Sequence, residues 1–305
     1  MPHAVILVYN PRSGTLLQAA EAAQLPAYFA DLLAAHPHIQ ATLLPLDAGL
    51  DSRVDAAITA HAPAALWVAG GDGSVLAVAR LARLHGLPLG VLPGGTMNLM
   101  ARDLGMSLDL SEAVAQLADA QPTAIDMAEV NGQPYLCLSN IGMSTRLTQQ
   151  REHLRDVPGW MRWPLMAGYT LKYLFAYPSM HIELDTGSTR LHLRTRSVSI
   201  SNNPLDEEGS LIPSRPALDR GMLCLYVARD RSIWSLPRLV FRLLTGRWRS
   251  DPDLQVHETR EARISFRYKR HTHVMCDGEL ERMRTPLHYR IHPGALVALR
   301  PRHTA

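Results

Sequence analysis

Two hydrophobic periods run along this chain, and the period changes part-way. Through the first 130 residues, short continuous apolar runs alternate with stretches in which apolar side chains return every three or four positions. Runs of the first kind predict buried strands, and those of the second kind predict amphipathic helices. His3–Tyr9, Ile39–Leu46, Ala64–Val68, Leu87–Leu92 and Ala124–Val130 read as strands. Thr15–Ala35 reads as mostly helical with a break at Pro26, and Asp51–His61, Val75–Leu84, Leu99–Leu104 and Ser111–Ala120 read as helices. Strands alternating with helices in this way predict an α/β domain built on a parallel sheet.

The pattern switches at Asn131-Gly132, a strong hairpin signal between apolar runs. Short strand-like segments follow, among them Gln133–Asn140, Met180–Asp185, Leu191–Ser201, Met222–Arg229, Ala262–Tyr268, Thr272–Cys276, Leu287–Ile291 and Leu296–Leu299. Many short strands predict an all-β antiparallel sandwich or barrel. The expected domains are therefore residues 1–129, α/β, and 130–305, β-rich with two helical inserts. The first insert, residues 151–177, carries Trp160, Trp163, Tyr169, Tyr173, Phe175 and Tyr177. The second, Ser232–Gly246, puts Ile233, Leu236, Val240, Leu243 and Leu244 on one face and Arg238 and Arg242 on another. Such a helix suits an anionic bilayer; it equally suits a surface helix packed on a sheet.

At 305 residues and 47% apolar content the chain is large enough for two cores. The net charge of +3 is a weak basic bias, and no nucleic-acid partner is expected from it. Cys137, Cys224 and Cys276 lack metal-ligand spacing and read as reduced thiols, which predicts a cytoplasmic protein. No targeting segment is apparent at the N-terminus. The apolar stretch from Trp163 to Tyr177 contains Lys172 and is too short to span a bilayer. His271 and His273 alternate on a strand without a third ligand at useful spacing, and no Gly-x-Ser-x-Gly elbow is present.

Chemistry concentrates on two strand-to-helix turns. Gly70-Gly71-Asp72-Gly73-Ser74 follows one strand, and Pro93-Gly94-Gly95-Thr96-Met97-Asn98 follows the next, with Thr96 as a natural N-cap. Turns of this kind present backbone N–H groups at a helix N-terminus, where the dipole favours an anion. Neither is a Walker loop, because no Lys-Ser/Thr pair follows the glycines. Consecutive turns also fall on the carboxyl edge of a parallel sheet, where such sheets bind ligands. Together they predict a phosphate cradle, with Asn10 at the end of the first strand beside it.

With Asn10-Pro11-Arg12-Ser13-Gly14, these segments resemble the diacylglycerol kinase catalytic-domain family, which includes bacterial lipid kinases and sphingosine kinases. The likeness is specific in the first third and looser later, at Asp126, Gly221-Met222-Leu223 and Asp277-Gly278-Glu279. It implies an α/β nucleotide domain followed by a β-sandwich, and transfer of the ATP γ-phosphate to a lipid hydroxyl. It implies ATP binding by Asn10, Ser13, Gly14, Gly70, Gly71, Asp72, Gly73, Ser74, Gly95, Thr96 and Asn98. The acid/base carboxylate is expected to be Glu279, with Asp277 second, the lipid entering between the domains. Read without the resemblance, Asp277-Gly278 is a plain hairpin turn. Mg²⁺ travelling with ATP and an arginine such as Arg102 would neutralise the phosphates.

The family's structural Mg²⁺ network is implied at Asp126, Asp219 and Met222, but the chain departs from the family pattern there. Leu99 and Arg220 stand where acids are usual. Arg220 is expected to replace the cation and pair with Asp126. Rival readings are a kinase of a soluble acceptor, because NAD kinases share the Gly-Gly-Asp-Gly turn, and a nucleotide- or lipid-binding protein that has lost catalysis. Contact with the inner face of the membrane would be peripheral.

Overall fold

The structure, a computed structural model, describes residues 3–143, 145, 177–206, 214–230 and 247–302, with isolated positions between 161 and 172 and between 234 and 245. Trp160, Trp163, Tyr173 and Phe175 of the first insert, and Ile233, Leu236, Val240, Leu243 and Leu244 of the second, lie outside the described residues. No helix among the described residues is long and apolar enough to cross a membrane.

Two compact units emerge: residues 1–127 with 293–305, and residues 128–292. The first is an α/β unit. It begins β1 (His3–Tyr9), α1 (Gly14–Ala19), α2 (Leu25–Ala34), β2 (Ile39–Pro45) and α3 (Leu50–His61). It continues β3 (Ala65–Gly70), α4 (Asp72–His85), β4 (Leu89–Pro93), α5 (Leu99–Asp103), α6 (Leu110–Ala118) and most of β5 (Gln121–Val130). Strands β2, β1, β3 and β4 are parallel neighbours in that order. Ile6, Leu7, Leu66, Val68, Leu89 and Leu92 are fully buried, as continuous apolar runs require in a sheet covered on both faces.

The second unit is an antiparallel β-sandwich. Its strands are β6 (Gln133–Tyr135), β7 (Leu138–Gly142), β8 (Met180–Asp185), β9 (Arg190–Asn202) and β10 (Leu223–Arg229). They continue with β11 (Leu254–Thr259), β12 (Glu261–Phe266), β13 (His271–Cys276), β14 (Glu279–Arg284) and the first part of β15 (Leu287–Arg300). The hydrogen-bonded order is β14-β13-β7-β9-β8-β12-β15, with β10 bridging β9 and β11. Alternate residues such as Ile182, Leu184, Ile200, Leu225, Ile264, Val274 and Leu287 fill its core.

Several boundaries differ from the periodicity. The break in the first helical stretch falls before Pro26, which sits in the first turn of α2, where its missing N–H costs nothing. Residues 287–299 form one strand, not two. Its latter part joins the first unit, where Ala298 pairs in parallel with Leu89. The domain boundary expected at 129/130 falls by packing at 127/128, and the chain's last residues return to the first unit.

Candidate functional site

Three strand ends lie side by side in the first unit: Tyr9 is in register with Ala69, and Gly70 with Pro93. Beyond them three loops interlock. The Asn10 amide donates to the Ser74 hydroxyl at 2.8 Å and accepts the Arg12 N–H at 2.9 Å. The Ser13 hydroxyl donates to the Gly94 carbonyl, and Thr15 Oγ1 donates to the Gly95 carbonyl at 3.1 Å. Thr15 is the one brace that the sequence motifs did not single out.

Glycine at 94 and 95 follows from this contact. A Cβ on Gly94 would stand 2.8 Å from the Gly70 backbone, and one on Gly95 would stand 2.5 Å from Gly71 Cα. The glycines thus let the two turns touch each other. We expect Gly95→Ala to cost about 1–3 kcal/mol of stability through overpacking as the turns separate. Thermal unfolding measures this, and an unchanged variant would refute the packing role.

The first turn is shorter than the pattern predicts. Asp72, Gly73 and Ser74 form the opening turn of α4, leaving Gly71 as the link after β3. Val75 N–H is the first to reach back, bonding the Gly71 carbonyl at 3.0 Å. The three N–H groups before it have no acceptor within the helix, and the N-cap residue, Gly71, has no side chain to offer one. The helix dipole therefore presents a positive end beside the second turn. Asp72 Oδ1 accepts the Met100 N–H at 3.3 Å, tying α4 to α5.

The second turn offers fewer amides than expected. The Gly94 N–H bonds the Gly70 carbonyl at 3.1 Å, and the Gly95 N–H bonds Asn98 Oδ1 at 2.7 Å. Asn98 Nδ2 returns to the Gly95 carbonyl at 2.8 Å, so this side chain closes the turn on itself. Asn98, in the left-handed region at φ 49°, also holds the N-cap position expected for Thr96. Thr96 is exposed, as is Gly14 at the start of α1. Arg102, also exposed, donates from Nε to the Met97 carbonyl at 3.1 Å, which keeps a cation beside the turn.

In the second unit, Asp277 and Gly278 make the predicted hairpin turn, with φ of 48° and 92°. The Asp277 side chain does more than turn the chain. It is buried, and its oxygens accept the N–H groups of Leu136, Cys137 and Leu138 at 2.5, 2.9 and 2.9 Å. Burial pushes its carboxyl above the ordinary carboxylate value, against the pull of those three N–H groups and of Arg215. These bonds also explain why the single strand expected over 133–140 is two: the amides at 136 and 137 turn toward the carboxylate.

Buried Arg215 completes this arrangement. It donates from Nη1 to the carbonyls of Leu136 at 2.6 Å and Asn202 at 2.8 Å, and from Nη2 to Cys137 Sγ at 3.2 Å. Nothing in the sequence signals a role for it. Glu279, by contrast, is exposed, at the first position of β14 opposite Cys276. Of the two carboxylates, Asp277 is the buried strut and Glu279 the exposed one.

Two of the three residues expected to hold a structural cation accept backbone N–H groups. Asp126 is buried and accepts the Gly294 N–H at 2.9 Å. The Met222 carbonyl accepts the Asn203 N–H at 3.0 Å, and Asp219 is exposed. Among the described residues no three His, Cys, Asp or Glu side chains gather as a metal site. Arg220 is exposed too.

The sequence profile of the diacylglycerol kinase catalytic domain matches residues 4–130, and that of the YegS C-terminal NAD kinase beta sandwich-like domain matches residues 139–300. A diacylglycerol kinase of Bacillus subtilis (strain 168) is 29% identical over 220 residues, covering 69% of each chain. A Staphylococcus haemolyticus (strain JCSC1435) protein named "Putative lipid kinase SH2167" is 28% identical over 151 residues, so the chain spans 48% of that relative's length. The crystal structure of "a putative diacylglycerol kinase from Bacillus anthracis str. Sterne" superposes with a TM-score of 0.74 at 20% identity, covering 99% of this chain and 97% of that one. At that identity the likeness is one of fold.

Proposed function

Because this chain belongs to the diacylglycerol kinase catalytic-domain family, we propose that it transfers the γ-phosphate of ATP to a hydroxyl of a lipid such as diacylglycerol. The observation that carries the reading is the glycine-led start of α4, braced against a second glycine turn at the carboxyl ends of parallel strands. Nucleotides bind at that edge in open α/β sheets, and a triphosphate tail matches the positive helix end.

The roles follow from phosphoryl transfer, which needs positioning and charge neutralisation more than covalent help. The N–H groups opening α4 and the amide of Thr96 hold the phosphates of MgATP, and Arg102 adds a positive charge. Asn10, Ser13, Ser74 and Asn98 keep the loops in shape. Glu279 takes the proton of the acceptor hydroxyl as its oxygen attacks the γ-phosphorus. The bond to the β-phosphate oxygen breaks, and MgADP leaves with those electrons. Asp277 sets the turn that carries Glu279.

Incubation with labelled ATP and a total lipid extract tests the reading. We expect a labelled product that partitions with the lipids. Label appearing on NAD alone, or ATP bound with no product across the lipid panel, would overturn it.

A further inference from the structure

Several arginines of the second unit already have partners. Arg190 pairs with Glu183 and Asp185, Arg194 and Arg196 with Asp230, and Arg290 with Glu261. The two arginines that made the second insert look membrane-seeking are engaged as well. Arg238 holds Asp251 and Asp253, and Arg242 lies 3.4 Å from Asp251 while donating to the Ser250 carbonyl at 2.6 Å.

One group of cations without such partners is continuous along one hairpin. Arg267-Tyr268-Lys269-Arg270-His271-Thr272-His273 runs from the end of β12 into β13 with no acid in seven residues. Arg267, Lys269 and Arg270 are exposed. So are Arg284 and Arg282 of β14, which stand opposite His271 and His273 in the register. None of these five side chains meets a carboxylate among the described residues. Between them Tyr268 is 78% exposed, with the Arg267 guanidinium 5.3 Å from its ring centre.

The backbone beneath is pinned. Thr285 donates its N–H to the Arg270 carbonyl at 3.0 Å and its hydroxyl to the Lys269 carbonyl at 2.6 Å, and the Arg267 N–H bonds the His181 carbonyl at 3.2 Å. Beside Arg267 lies a groove of about 540 Å³, lined by His181, Glu183, His192, Arg194 and Phe266.

We propose that this cationic tip docks the protein on the anionic surface of a phospholipid bilayer. Charge complementarity selects that partner: unpaired cations on a fixed base gain most near a negative surface. An exposed tyrosine in their midst suits the headgroup level, where an aromatic body and a polar end are both accommodated. A nucleic acid would favour a longer basic track with stacking aromatics, and Tyr268 is alone here. The cationic row continues along the outer face of the β13–β14 hairpin, so docking lays that hairpin along the surface. The choice of a lipid partner rests on the lipid-kinase reading, whereas the charge distribution does not.

Vesicle sedimentation of the full chain, without ATP, tests the docking. The protein is expected to sediment with vesicles of phosphatidylcholine and phosphatidylglycerol, not with phosphatidylcholine alone, and to be released by salt. Lys269→Gln with Arg270→Gln should weaken that binding about 30-fold, with thermal unfolding and turnover of a dispersed, short-chain acceptor unchanged. Binding that ignores either the phosphatidylglycerol or the double variant would overturn the proposal. So would a protein that ignores both vesicles but binds a polynucleotide through these residues. A protein that docks but phosphorylates no lipid would uphold the surface and refute the kinase reading.

Discussion

Glu279→Gln is expected to lower kcat by about 10²- to 10⁴-fold, the usual worth of a general base, while MgATP affinity stays near wild type. The substitution keeps the shape of the side chain and removes its capacity to take a proton. Glu279 stands at the exposed first position of β14. The predicted signature is a loss in kcat and kcat/KM together, which marks an interaction made only in the transition state. Single-turnover rates and an ATP titration separate the two quantities. Near-normal turnover would remove Glu279 as the base and return the turn to a plain hairpin.

Asp277→Asn should act through stability. Asparagine tolerates the φ of 48° at this position, so the turn itself survives. What is lost is a buried carboxylate that accepts three backbone N–H groups and faces the field of Arg215. An amide presents only one acceptor oxygen, and its NH₂ would confront a donor. Breaking a buried charged arrangement of this kind costs about 3–5 kcal/mol. The melting temperature should therefore fall by several degrees, and activity at low temperature should fall less than in the Glu279 variant. A melting temperature equal to wild type would show that the three amides find other acceptors and that Asp277 is no strut.

Much of this was legible in the chain because it is written in local chemistry. The parallel sheet follows from continuous apolar runs, and the switch of architecture from Asn131-Gly132, which adopts positive φ at both residues. The glycine turns were visible as glycine turns, and their neighbourhood followed from consecutive strand–helix units. What escaped depends on partners far apart in sequence. The Asp277 side chain reaches amides about 140 positions away, and that reach splits an expected strand. Arg215 leaves no trace in any periodicity. The second-insert arginines fit a bilayer helix until Asp251 and Asp253 are seen to hold them. Amides counted toward the cradle at Gly94 and Gly95 are used within the turns, which glycine content alone cannot reveal.

The return of residues 293–305 to the first unit bears on how the protein is made. On the ribosome, halves usually fold in the order in which they emerge. Here the first unit, although translated first, waits for the end of β15 until the sandwich has been synthesised. Its β4 edge stays open meanwhile, the kind of exposed strand that invites aggregation. The sandwich, begun later, is the first to have all its residues available. Nascent chains of this protein thus pass through a stage in which the sandwich, with the hairpin that carries Glu279, is in place before the first unit has been closed.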